Sequence, residues 1–236
     1  MTISNTPRTT HAPDLLLFGS EVGVDAMHKA LLATGDAISI ATVVVDMSAP
    51  DAVLHDMAVQ ACATYNVAAL MLASNALSLR LADNLKAVLD VPVHTVLPPL
   101  AESARLTCTR HVALMAQPSV IDHPVTRRQI ALFAERGLRV TPVSATGLVY
   151  MAHRHLRESA LPDIGALRDQ MAAIRTDIRI DTVILAAAHA TRLRGMLEKA
   201  AFRPFYWVDA ITCAANRYHG LRAVGAPDTT FSSRAS

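Results

Sequence analysis

The sequence predicts an α/β protein built from parallel sheets flanked by helices and arranged as two similar lobes. Three observations carry this. Short β-branched or aliphatic runs alternate with amphipathic stretches, joined by short connections, the pattern of βαβ units. The run VAALMLA (67–73) is apolar throughout, as a strand covered on both faces must be. After Cys108 the alternation starts again, which implies a second lobe.

The elements follow in order. Residues 15–18 (LLLF) read as a strand and 24–33 as a helix. ISIATVVV (38–45) is the next strand. Pro50 and Asp51 open a helix through Tyr65, with a carboxylate in the first turn, where it suits the helix dipole. Strand 67–73, helix 77–89 and strand 93–96 follow, closed by Pro98 and Pro99. The restart gives strand 111–116 and helix 124–136, with Gly137 in the position a helix-ending glycine takes. Strand 138–141 leads into two helical stretches, 146–159 and 162–175. TVILAA (182–187) is a strand, 191–201 a helix, 205–208 a last strand and 209–218 a helix. The polar ends, 1–13 and 226–236, are expected to be flexible.

Composition excludes several classes. Of 236 residues 52% are apolar and 18% charged, which excludes global disorder. The formal net charge is +2, giving no electrostatic case for nucleic acid or a membrane surface. Mean hydropathy is +0.29, yet no apolar run reaches the length of a membrane span. MTISNTPRTTHAPD has no apolar stretch of the signal-peptide kind. Nine glycines argue against a glycine-rich nucleotide loop. Three cysteines, Cys62, Cys108 and Cys213, lie far apart with no CxxC pair. That argues against a disulfide scaffold or zinc site and fits a reducing cytoplasm. No metal is expected: in His153-Arg154-His155 the two histidines stand two apart on a helix and share no face.

In parallel sheets ligands bind beyond the carboxyl ends of the strands. Here those positions are Gly19-Ser20, Asp46, Ser74-Asn75, Gln117, Ser119 and Ala188-His189. Four segments bearing them, LLLFGSEVGVDAM (15–27), VAALMLASNALSLRLADNLKAVLDVPVHTVLPP (67–99), HVALMAQPSVIDHPVTRRQI (111–130) and DTVILAAAHATRLRGML (181–197), resemble in order and spacing the aspartate/glutamate racemase superfamily. The family's corresponding motifs are F-D-S-G-V-G-G, I-A-C-N-T-A with the later P-V-x-G-V-I-x-P, the opening of the second lobe, and L-G-C-T-H. The resemblance implies two pseudo-symmetric lobes, 14–105 plus 209–225 and 106–208, with a ligand cleft between them. It implies a cofactor-independent enzyme of the isomerase class acting on a small amino acid or dicarboxylate. Such enzymes lift the Cα proton with one cysteine thiolate and return a proton from another on the opposite face; many are homodimers.

The departures from that pattern bear on chemistry. The first cysteine of the family falls on Ser74 and the second on Ala187; the aspartate of F-D-S-G falls on Gly19. Ser20, Asn75 and His189 are retained. An aliphatic hydroxyl is a far weaker acid than a thiol, and Ala187 transfers no proton. The chain therefore reads as a divergent member lacking both catalytic cysteines, for which two-thiol racemisation is not expected. His189 and Ser74 are the candidate catalytic residues, and Ser20, Asn75, Gln117 and Ser119 the candidate substrate-binding residues. His189 reads equally as a general acid or base and as a pocket histidine held by hydrogen bonding. Ser20 and Ser74 read equally as helix N-caps. The alternatives to an isomerase are a related proton-transfer enzyme or decarboxylase, and a non-catalytic binding or regulatory relative that kept the cleft. A Ser74–His189 hydrolase is disfavoured, since no G-x-S-x-G elbow is present.

Overall fold

Alternating side chains of a strand point to opposite faces, so a strand apolar throughout must be packed on both sides. The computed structural model, which describes residues 12–158 and 161–224, meets this requirement with two four-stranded parallel sheets. The first holds β1 (Leu15–Gly19), β2 (Ile40–Val44), β3 (Leu70–Leu72) and β4 (Val93–His94), in the order β2-β1-β3-β4. The second holds β5 (His111–Ala116), β6 (Arg139–Ser144), β7 (Thr182–Ala186) and β8 (Tyr206–Asp209), in the order β6-β5-β7-β8. Each sheet thus repeats one plan, with its first strand between its second and third. The predicted α/β class with two sheets flanked by helices is what the chain adopts. The expected flexible ends lie, but for residues 12 and 13, outside the described residues.

The period of two sorts the core into three layers. In β1, Leu15 and Leu17 face inward while Leu16 and Phe18 face outward. In β5, Val112 and Leu114 face inward and Ala113 and Met115 outward. The inner layer is shared by the two sheets. It contains α1 (Glu21–Leu32) and α12 (Ala210–Val224), which pack on each other. The outer layers are closed by α2 (Asp51–Tyr65) and α3 (Asn75–Val88) on the first sheet. On the second they are closed by α7 (Thr146–Glu158), α8 (Ile164–Gln170), α9 (Ala172–Thr176), α10 (Ala188–Arg192) and α11 (Arg194–Ala200). Each fully buried leucine in these layers contributes about 2 kcal/mol. Two polar ties hold the layers in register. His219 of α12 sits 2.7 Å from Asp36 and 2.8 Å from the Thr34 hydroxyl, beyond the end of α1. The Asp181 carboxylate, just before β7, accepts hydrogen bonds from the Thr107 hydroxyl at 2.6 Å and the backbone N–H groups of Cys108 and Thr109 at 2.7 and 2.9 Å.

Some elements differ from the sequence-based expectation. The strand expected to end at Thr141 continues to Ser144 through Pro142. Strand β6 is at the sheet edge, pairing with β5 alone, and an edge strand tolerates a residue with no N–H. The helix expected over 162–175 is two, broken at Met171, and that over 191–201 begins at Ala188 and breaks at Leu193. Both break residues are fully buried; the turn directs each side chain into the outer layer of the second sheet. Two short helices, α4 (Leu100–Leu106) and α5 (Pro118–Ile121), were not foreseen, and α6 (Pro124–Glu135) matches its expected span closely. Among the described residues no helix is long and apolar enough to cross a membrane.

Candidate functional site

The carboxyl ends of β1, β2, β3, β5 and β7 open into one cleft of about 440 Å³. It brings together Ser20, Ser74, Asn75, Gln117 and His189 from both sheets. Ser119 lies on α5 with an exposed residue surface and does not line the cleft. A second cavity, of about 520 Å³, lies among α4, α6 and α12 and is mostly apolar; the polar strand ends are not part of it.

Ser20 follows β1 and caps α1, its Oγ accepting from the Gly23 N–H at 3.2 Å. Gly23 is required by proximity: a Cβ there would overlap the carbonyl oxygen of Ala73. The absent side chain lets the start of α1 sit against the end of β3. Asp46 follows β2, and its Oδ1 accepts from the backbone N–H and hydroxyl of Ser48 at 2.9 and 2.8 Å. These bonds hold its carboxyl below the usual range, so it is anionic at neutral pH. The loop carrying Asp46 is clamped by Arg80 of α3. That guanidinium donates to the Met47 and Ala49 carbonyls at 3.0 and 2.9 Å and to Asp51 at 2.7 Å.

Ser74 caps α3, its Oγ accepting from the Leu77 N–H at 3.2 Å. The hydroxyl oxygen is therefore engaged in holding the helix. Next to it Asn75 is only 2% exposed, and neither its Oδ1 nor its Nδ2 has a hydrogen-bond partner. A buried amide left unpaired costs about 1–3 kcal/mol per group, and this one belongs to the cleft lining.

The second sheet supplies the facing wall. Ala187 precedes α10, and His189 is that helix's second residue. The His189 ring lies 4.5 Å, centroid to centroid, from the ring of His153 on α7, tilted by 47°. Burial, assisted by repulsion from His153, pushes the His189 imidazole down to about 4. It is neutral at physiological pH, and its Nε2 is buried without a partner. Sequence reasoning missed His153. Its spacing from His155 hid a more useful one: Val149 and His153 stand four apart on α7, and both line the cleft.

No thiol reaches this space. Cys62 is buried in α2 within the outer core of the first sheet, and burial raises its thiol to about 11. Cys213 on α12 is raised to about 11 by burial and by Glu102. Cys108 is exposed at the opposite end of the second sheet, before β5. Among the described residues, no cluster of three or more His, Cys, Asp or Glu side chains is placed to hold a metal ion. The cleft can therefore hold an anionic group at the Asn75 end, beside first-turn N–H groups of α1 and α3. On the His189 wall it offers a neutral base.

No protein-family model matches the chain. A glutamate racemase of Shewanella piezotolerans is 29% identical over 165 residues, covering 70% of this chain and 60% of the relative. One of Brucella canis is 30% identical over 169 residues, with the same two coverages. The chain thus spans less than two thirds of the length of these curated relatives. Among solved structures, Escherichia coli glutamate racemase in complex with L-glutamate and an activator superposes with a TM-score of 0.79 at 22% identity. The match covers 92% of this chain and 85% of that one.

Proposed function

The chain belongs to the aspartate/glutamate racemase superfamily, and we propose that its interlobe cleft binds a small amino acid or related carboxylate without a cofactor. Two-thiol racemisation is not part of this reading. The single observation that carries it is Asn75: a buried amide, both of whose polar atoms lack partners, at the floor of a cleft lined from both sheets. A ligand carboxylate accepting from Nδ2 and from N–H groups at the start of α3 supplies the missing partner.

Within that complex His189 is the group on the second-sheet wall that takes a proton, neutral above about pH 4 and, by the same shift, a weaker base than an ordinary imidazole. On the Ser74 side the hydroxyl caps α3 and lies far from the acidity of a thiol. Proton exchange at Cα is accordingly one-faced: the proton leaves toward His189 and returns from the same side, with retention. The alternative, a non-catalytic binding or regulatory relative, is favoured by the absence of any thiol from the cleft lining. We assign residues 14–105 with 209–225 to one lobe and 106–208 to the other, and a cytoplasmic location in keeping with three unpaired cysteines.

The deciding experiment is incubation with each enantiomer of a panel of amino acids, aspartate, glutamate and glutamine included, in D2O. Loss of the α-proton is followed by NMR and configuration by chiral chromatography. Exchange with retention that disappears in His189→Gln supports the proposal. Exchange with inversion refutes the one-faced chemistry. A ligand-induced thermal shift with no exchange establishes the binding-only alternative.

A further inference from the structure

The permanent charges of the cleft lining are one-sided, its other titratable side chains being the imidazoles of His153 and His189. Glu21 and Asp46 line it, and among the described residues no lysine or arginine does. The nearby guanidiniums are committed elsewhere, Arg80 to Asp51 and the loop carbonyls and Arg192 to Asp25 at 2.8 Å. His189 on the far wall is uncharged at neutral pH. The cleft also has an independent mark of ligand binding in the buried, unpartnered Asn75 amide. Building on the amino-acid reading of this site, we infer that the cleft selects an α-amino acid whose side chain is neutral or cationic, and rejects dicarboxylates.

Two positions of opposite preference lead to this. At the floor, Asn75 and the start of α3, whose first turn carries no acidic residue, favour one carboxylate. At the rim, Glu21 and Asp46 are exposed carboxylates. Asp46 is fixed by its two bonds from Ser48 and by the Arg80 clamp on its loop. A sphere of the cleft's volume has a radius of about 5 Å, shorter than the ~8 Å over which physiological salt screens a charge. A second ligand carboxylate would therefore meet both rim charges with little screening by salt, in the water-accessible mouth of the cleft. An amide, a hydroxyl or an ammonium there would be tolerated or attracted.

Calorimetric titration of the full chain with both enantiomers of glutamine and of glutamate tests this, because the two side chains match in shape and differ in charge. Glutamine is expected to bind at least tenfold more tightly. The preference should fall to within about threefold in Glu21→Gln/Asp46→Asn, with circular dichroism reporting the fold and Glu21→Gln alone as the milder variant. Equal or tighter binding of glutamate overturns the inference while leaving the amino-acid reading standing. So does a preference that neither variant moves. If neither amino acid binds, this inference falls, and the amino-acid reading is decided by the wider panel.

Discussion

Replacing His189 with glutamine should change how the stability of the protein depends on pH. The imidazole is neutral in the folded state down to about pH 4, because burial and the neighbouring His153 oppose its charge. In the unfolded chain it protonates near 6.5. Between those values the unfolded state binds the extra proton, so folding stability rises with pH and is lost as pH falls from about 6.5 toward 4. The gap is equivalent to at most about 3 kcal/mol. The ring lies in an open cleft that water reaches, which reduces the expected contribution to about 1–2 kcal/mol. Glutamine has similar reach and does not titrate. Urea unfolding of both proteins at pH 7.5 and 4.5 gives four free energies. The wild type should lose about 1–2 kcal/mol more than His189→Gln on acidification. Equal losses would refute the claim that His189 is held neutral by its surroundings.

Further outcomes follow from the same geometry. His153→Gln removes the like charge beside His189 and should move the His189 titration midpoint, followed by NMR, upward from about 4 without reaching its ordinary value, since burial is the larger cause. Gly23→Ala forces a methyl into the Ala73 carbonyl and should cost about 1–3 kcal/mol, read as a lower urea midpoint with an unchanged slope. Asp181→Ala removes the acceptor of the part-buried Thr107 hydroxyl and of the exposed Cys108 and Thr109 N–H groups, which water can serve instead, and should cost about 1 kcal/mol in the same assay. In the folded protein Cys108 should react first with a thiol reagent, being exposed, while Cys62, 7% exposed and raised to about 11, should react only on unfolding.

The sequence by itself determined the class of the fold, the parallel sheets and the strand ends where chemistry collects. Those follow from local pattern: a period of two in LLLF and HVALMA, and an unbroken apolar run in VAALMLA. It also determined that serine and alanine stand just beyond two strands, Ser74 after β3 and Ala187 after β7. Tertiary packing alone decided the rest. It joined α7 to α10, so that His153 lies on His189, and it turned Ser119 to the surface. It buried Asn75 without partners and carried β6 past Pro142 on an open edge. The reason is physical. Burial and proximity depend on which elements are pressed together, and a lowered imidazole or an orphaned amide arises from desolvation that no local pattern encodes.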